Sequence, residues 1–173
     1  MNHDSYPDSY IRGILNTVKT VAMVCFSPKE NRPSYFVFKY LTERGYRVIP
    51  VNPGHAGKEV LGQKVYASLF DIPVPIDMVD IFRASENVPP IVDEALTLTP
   101  KPQVIWMQLT VRNDAAAALA EAQVAAGNPT EALRLLSTER PRLERYEKKD
   151  EPHQPDAFVQ AFSMASKIAS RIN

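Results

Sequence analysis

The chain has 173 residues, with 20 basic and 20 acidic side chains and no formal net charge. That is one ordinary domain, able to bury a real core, with no global attraction to nucleic acid or to an anionic membrane. A single cysteine, Cys25, excludes an intrachain disulfide, and no Cys/His spacing suggests zinc. The first residues, MNHDSYPDSY, lack a signal peptide's basic and apolar segments, and no apolar run approaches the roughly 18 residues of a membrane span. A soluble cytoplasmic protein is expected.

Taken in chain order, Ser9–Asn16 sets Ile11, Ile14 and Leu15 on one helical face. Thr20–Phe26 reads as the first strand. It stops at Ser27-Pro28-Lys29, and Pro33-Ser34 opens a helix over Ser34–Arg44 that puts Val37, Phe38 and Leu41 at helical spacing. Gly45 is placed as its C′ stop. Arg47–Val51 reads as a second strand closed by Asn52-Pro53, and a glycine-bearing loop then leads to a short extended piece at Lys64–Tyr66. Met78–Phe82 is a third strand, and a helix runs from Pro89-Pro90 to about Leu98. Val104–Leu109 is a fourth strand, followed by an alanine-rich helix from Asn113 to Ala126.

Strands that alternate with helices imply right-handed crossovers and a parallel sheet covered on both faces. The nearly continuous apolar strand cores suit such a sheet. The expected class is α/β: a Rossmann-like, three-layer α/β/α domain over residues 10–126, its parallel sheet having four to five strands. Residues 127–173 read as a helical extension. Within it, Asn128-Pro129 starts a helix through Leu135-Leu136, Arg140–Glu151 is a charged connection, and Asp156–Ile172 is an amphipathic helix suited to core packing, a homo-oligomer or a partner protein. No segment there reads as a strand.

The first strand-turn-helix is an arrangement that holds phosphate in many α/β proteins, so a nucleotide-type ligand is the first hypothesis. Ser27 and Lys29 offer a hydroxyl and a cation to a pyrophosphate, with backbone amides around the turn assisting and Phe26 and Pro28 beside them among the expected binding residues. The bland alternative is an ordinary exposed turn. Arg32 and Ser34 sit where a helix N-terminus favours an anion, although Ser34 also reads as a cap. Asn52-Pro53 stands where an NAD-binding unit would carry an acidic residue, and no GxGxxG is present, which counts against NAD; a capping asparagine is the competing reading. Phe82 and Arg83 suit an adenine and a phosphate, with Phe82 as core residue the alternative. Gln108 offers an amide to the crevice, whereas Trp106 reads as packing. Cys25 reads as a small buried hydrophobe and His55 as a loop residue. Asp77 and Asp80 bracket the third strand without forming an acid/base pair.

The segments SPKENRPSY, GYRVIPVNP, GKEVLGQKVYASL, VDIFRASENVPPIVDEAL and VIWMQLTV, in that order, resemble the small stand-alone CoA-binding proteins. These are relatives of the CoA-binding domain of ADP-forming acyl-CoA synthetases and of the succinyl-CoA synthetase α subunit. The resemblance covers residues 10–122 and implies a Rossmann-like fold with coenzyme A or acyl-CoA across the carboxyl ends of the strands. It implies a binding protein without catalysis of its own, since the chain carries neither the histidine loop nor the ATP-grasp unit of the synthetases. Such proteins carry glycine where Cys25-Phe26 stands, and they continue into a fifth strand ending in an Arg-Cys-Pro-like segment that this chain lacks. An NAD(P)-binding enzyme or sensor, and an interaction module with a closed site, are the alternatives.

Overall fold

A computed structural model describes residues 8–108, 111–126 and 134–137. Helix α1 (Asp8–Thr17) precedes strand β1 (Thr20–Val24), and helix α2 (Pro33–Glu43) leads to β2 (Arg47–Val51). A small antiparallel pair follows, β3 (Glu59–Val60) and β4 (Gln63–Lys64). Then come β5 (Met78–Ile81), α3 (Pro89–Thr97), β6 (Val104–Met107), α4 (Asp114–Ala126) and β7 (Arg134–Ser137).

The main sheet has five parallel strands in the order β2-β1-β5-β6-β7. Order therefore reverses between β1 and β5, because the chain leaves β1 toward one side and later strands build toward the other. Residues alternate between the two faces of the sheet. Ala22, Val24, Val79, Ile81, Ile105 and Met107 join the core formed with α3 and α4, where Ala116, Ala117 and Ala120 let α4 approach closely. Met23, Met78, Val104 and Trp106 meet Ile14 of α1 and Val37, Phe38 and Leu41 of α2. Both faces are thus dry, as the apolar strand runs require.

Gly45 does stop α2. At φ +86° it lets its own N–H reach Thr42 O at 3.0 Å and the Tyr46 N–H reach Leu41 O at 3.1 Å, a Schellman closure. The Tyr46 hydroxyl then donates to Leu15 O at 3.0 Å and ties that corner to α1. At the amino edge of the sheet, one carboxylate oxygen of Asp77 accepts from the N–H groups of Lys19 (2.9 Å) and Thr20 (2.8 Å). This pins the start of β1 to the start of β5.

Two expectations are corrected. The first strand ends at Val24, not Phe26, because Cys25 turns into the left-handed region at φ +64°. Leu135-Leu136 lies in a strand, β7, where a helix is expected; it pairs in parallel with β6, Leu135 opposite Ile105 and Leu136 opposite Trp106. The segment has no β-branched residue, so its extended form follows from docking on β6 rather than from local preference. The sheet thereby extends past residue 126. The expected amphipathic helix over 156–172 lies outside the described residues.

Candidate functional site

The carboxyl edge at the β1/β5 divergence is where an open parallel sheet offers a crevice. The candidate residues lie on the segments that leave this edge. Positive φ is what the turn after β1 demands, and it is what a glycine would supply without strain. With Cys25 there instead, the N–H groups of Cys25 and Phe26 both turn to the carbonyl of Val51, at 2.9 and 3.3 Å. Phe26 then drops into the core, fully buried, its ring 5.1 Å from that of Phe38. Its carbonyl accepts from Asn52 Nδ2 at 2.7 Å. Phe26 is therefore a core residue, and its backbone N–H, expected to assist a pyrophosphate, is already bonded to Val51.

The next amide is engaged as well. Ser27 N–H donates to Ser34 Oγ at 3.0 Å, so Ser34, buried within α2, clasps the turn instead of capping its helix. The N-cap position is Arg32, without a side-chain capping bond. Ser27 Oγ in turn accepts a long 3.4 Å contact from Lys29 N–H. An expected fan of free amides behind β1 is thus reduced. Among the described residues, the N–H groups of Glu30, Asn31 and Ser34 remain without an acceptor. Pro28 is half-buried, and Lys29 and Arg32 are exposed.

Asn52 serves structure. Besides holding Phe26, its Oδ1 accepts from Gly54 N–H at 2.8 Å and caps a 3-10 turn, Pro53–His55, in which Pro53 is exposed. The capping reading of Asn52 therefore holds, and both ends of its amide are spoken for. Phe82 continues the ladder with its N–H on Val24 O at 3.0 Å, and its half-buried ring packs against the α1/α2 core. Arg83 is exposed on the other face, beside Cys25. Burial pushes the Cys25 thiol up from its ordinary pKa, and the charge and hydrogen bond of Arg83 pull the opposite way without cancelling it.

Sequence reasoning misses the feature beneath Gln108. Its N–H reaches Ile81 O at 3.3 Å, extending the β5–β6 ladder, and its Nε2 donates to Asp80 Oδ1 at 2.9 Å. Asp80 is wholly buried in mid-strand, and its Oδ2 has no hydrogen-bond partner. Burial drives its pKa from 3.8 up to about 7, opposed only by the Gln108 hydrogen bond. The signal available in the sequence is a lone acidic residue inside the otherwise apolar run MVDIF. The loops after β5 and β6 are also joined: Arg112 N–H donates to Ser85 Oγ, and Asn113 Nδ2 to Ser85 O, each at 2.9 Å. Asn113 Oδ1 also accepts from Ala116 N–H at 2.9 Å, capping α4. Lys29, Arg32, Arg83 and Arg112 consequently follow three strand ends at one edge of a chain with no net charge. Arg112 is matched by Asp114 at 2.7 Å. Among the described residues, no group of three or more His, Cys, Asp or Glu side chains could hold a metal ion, and no helix is long and apolar enough to cross a membrane.

The chain is similar to several known proteins. Residues 19–135 match a family described as a CoA-binding domain. Over 106 residues the chain is 41% identical to the uncharacterized protein YneT of Bacillus subtilis, covering 61% of this chain and 76% of that one. Over 80 residues it is 35% identical to the α subunit of an ADP-forming acetate–CoA ligase of Pyrococcus furiosus; that stretch is 44% of this chain but 17% of the ligase subunit. Among solved structures, a hypothetical protein from Pyrococcus horikoshii superposes with a TM-score of 0.69 at 34% identity, covering 80% of this chain and 89% of the other. A Thermus thermophilus protein does so at 0.68 and 28%, covering 82% and 98%.

Proposed function

Because this chain belongs to the CoA-binding domain family, we propose that it binds coenzyme A or an acyl-CoA across the carboxyl edge between β1 and β5, without catalysis of its own. The observation that carries this reading is the coincidence of the topological switch point with a cation-bearing turn and the start of α2. Lys29 and Arg32 neutralise the diphosphate, and the free N–H groups of Glu30, Asn31 and Ser34 supply hydrogen bonds. The adenine lies toward Phe82 and Arg83, and the pantetheine arm passes Gln108. Ser27, Pro28 and Pro53 shape the walls.

Two features support a binding role over a catalytic one. The Cys25 thiol is held protonated by its burial, and the Asp80 carboxyl is turned into the core. An NAD-type reading fits less well, since the Asn52 amide that would meet the ribose is committed to Phe26 and Gly54. Thermal unfolding with CoA, acetyl-CoA, NAD and NADP tests the proposal. At a ligand concentration of 100 times Kd, CoA is expected to raise Tm by roughly 5–10 °C. Lys29→Ala with Arg32→Ala is expected to abolish the rise. A shift with NADP and none with CoA would overturn the reading, and CoA binding that survives the double substitution would overturn the phosphate position.

A further inference from the structure

Mid-strand carboxyls in a dry sheet need a reason, and Asp80 has a neighbour that supplies one. Its register partners are Met23 on β1 and Trp106 on β6, and the cluster on this face includes Ile14 from α1 and Phe38 from α2. The described charged side chains of those helices, Arg12, Lys39 and Glu43, and their phenols, Tyr10, Tyr35 and Tyr40, are not among the groups that shift it: burial raises its pKa and the Gln108 hydrogen bond lowers it. Gln108 is therefore the one polar group that addresses Asp80 there, and it stands at the carboxyl edge, 7% exposed. Among the described residues, no donor reaches Gln108 Oε1.

We infer that Asp80 is a positioning residue that fixes which end of the Gln108 amide is presented to the crevice. An ionised carboxylate only accepts, so it holds Nε2 inward and leaves Oε1 outward as an acceptor. A neutral carboxyl both donates and accepts. Protonated on the oxygen that faces Gln108, Oδ1, it donates to Oε1 in the flipped amide, which turns Nε2 outward as a donor. Proton uptake from solvent thus converts the outward group from acceptor to donor. The rise of the Asp80 pKa to about 7 sets this exchange near neutrality. Resting on the coenzyme A reading, the inference makes Gln108 Oε1 the acceptor for an amide N–H of the pantetheine arm, preferred above neutral pH.

Two measurements keep the inference and the ligand reading apart. In the unliganded wild type, the Gln108 side-chain NH2 resonances are expected to titrate with a midpoint near pH 7, and to be flat in Asp80→Asn. Resonances that do not move from pH 5.5 to 8.5, or that move equally in both proteins, overturn the positioning role whatever the ligand. For binding, 3′-dephospho-CoA is used because its diphosphate does not titrate in this range. Its affinity is expected to rise about fivefold from pH 5.5 to 8.5 in the wild type, the effect of one neutral hydrogen bond, and not in Asp80→Asn. Equal pH profiles overturn the contact. Absence of any binding overturns the coenzyme A reading instead, and the resonances then decide the positioning role alone.

Discussion

Asn52 Nδ2 lies 2.7 Å from the carbonyl oxygen of Phe26, and the same side chain accepts from Gly54 N–H at 2.8 Å. One amide therefore joins the turn after β1 to the turn after β2. Asn52→Ala is expected to cost about 1–3 kcal/mol, because the Phe26 carbonyl loses its donor in a half-buried place. Asn52→Asp is expected to cost at least as much, since it sets a carboxylate oxygen against that carbonyl. Urea unfolding with unchanged m checks both; an Asp variant as stable as wild type would show that the bridge carries no load.

The left-handed turn at Cys25 makes a graded prediction. A β-branched residue is a genuine outlier at φ +64°, whereas glycine is at ease there. Cys25→Val is expected to lose about 2 kcal/mol or more. Cys25→Gly is expected to stay within about 1 kcal/mol of wild type, relief of strain offsetting lost packing and chain entropy. Denaturant midpoints rank the series, and a Val variant equal to Gly would remove the strain argument.

Arg83 and Cys25 make a chemical prediction. The guanidinium pulls the thiol pKa down against burial, so Arg83→Ala leaves burial unopposed. Alkylation of Cys25 by iodoacetamide at pH 8 is expected to slow in Arg83→Ala, with the rate-versus-pH curve displaced to higher pH. Faster alkylation would contradict the arrangement.

Asp80 makes a prediction about stability. Its pKa is 3.8 as an ordinary carboxyl and about 7 in the fold, so the folded state holds a proton that the unfolded chain releases between those values. Stability is accordingly greatest below pH 4, falls as pH rises through about 7, and then levels off for this group. The full penalty is on the order of 4 kcal/mol. Asp80→Asn removes it but buries an amide with an unpaired donor, costing about 1–3 kcal/mol. The variant is expected to be more stable than wild type at pH 8 and less stable at pH 4. Parallel unfolding curves at the two pH values would refute this.

Much of the fold was legible because a twice-covered parallel sheet writes itself as apolar runs, and because Gly45 and Pro33 mark the ends of α2 by backbone chemistry. Arg134–Ser137 was not legible: an extended form imposed by pairing with β6 leaves no local mark. The candidate site divides similarly. Position at the carboxyl edge follows from topology, but the fate of individual hydrogen bonds does not. Whether Ser34 caps its own helix or reaches back to Ser27, and whether Asn52 meets a ligand or a neighbouring turn, depends on contacts between segments seven and 26 residues apart. Asp80 could be seen as an oddity in its strand, while its partner lies 28 residues away.

The carboxylate of Asp77, with the Lys19 and Thr20 N–H groups in its grip, sits at the rim opposite the candidate ligand. Alignment between β1 and β5 is anchored there, at the end of the sheet away from the carboxyl edge. Substitutions confined to the loops at the carboxyl edge leave that anchor untouched, so the alignment of β1 with β5 does not depend on them.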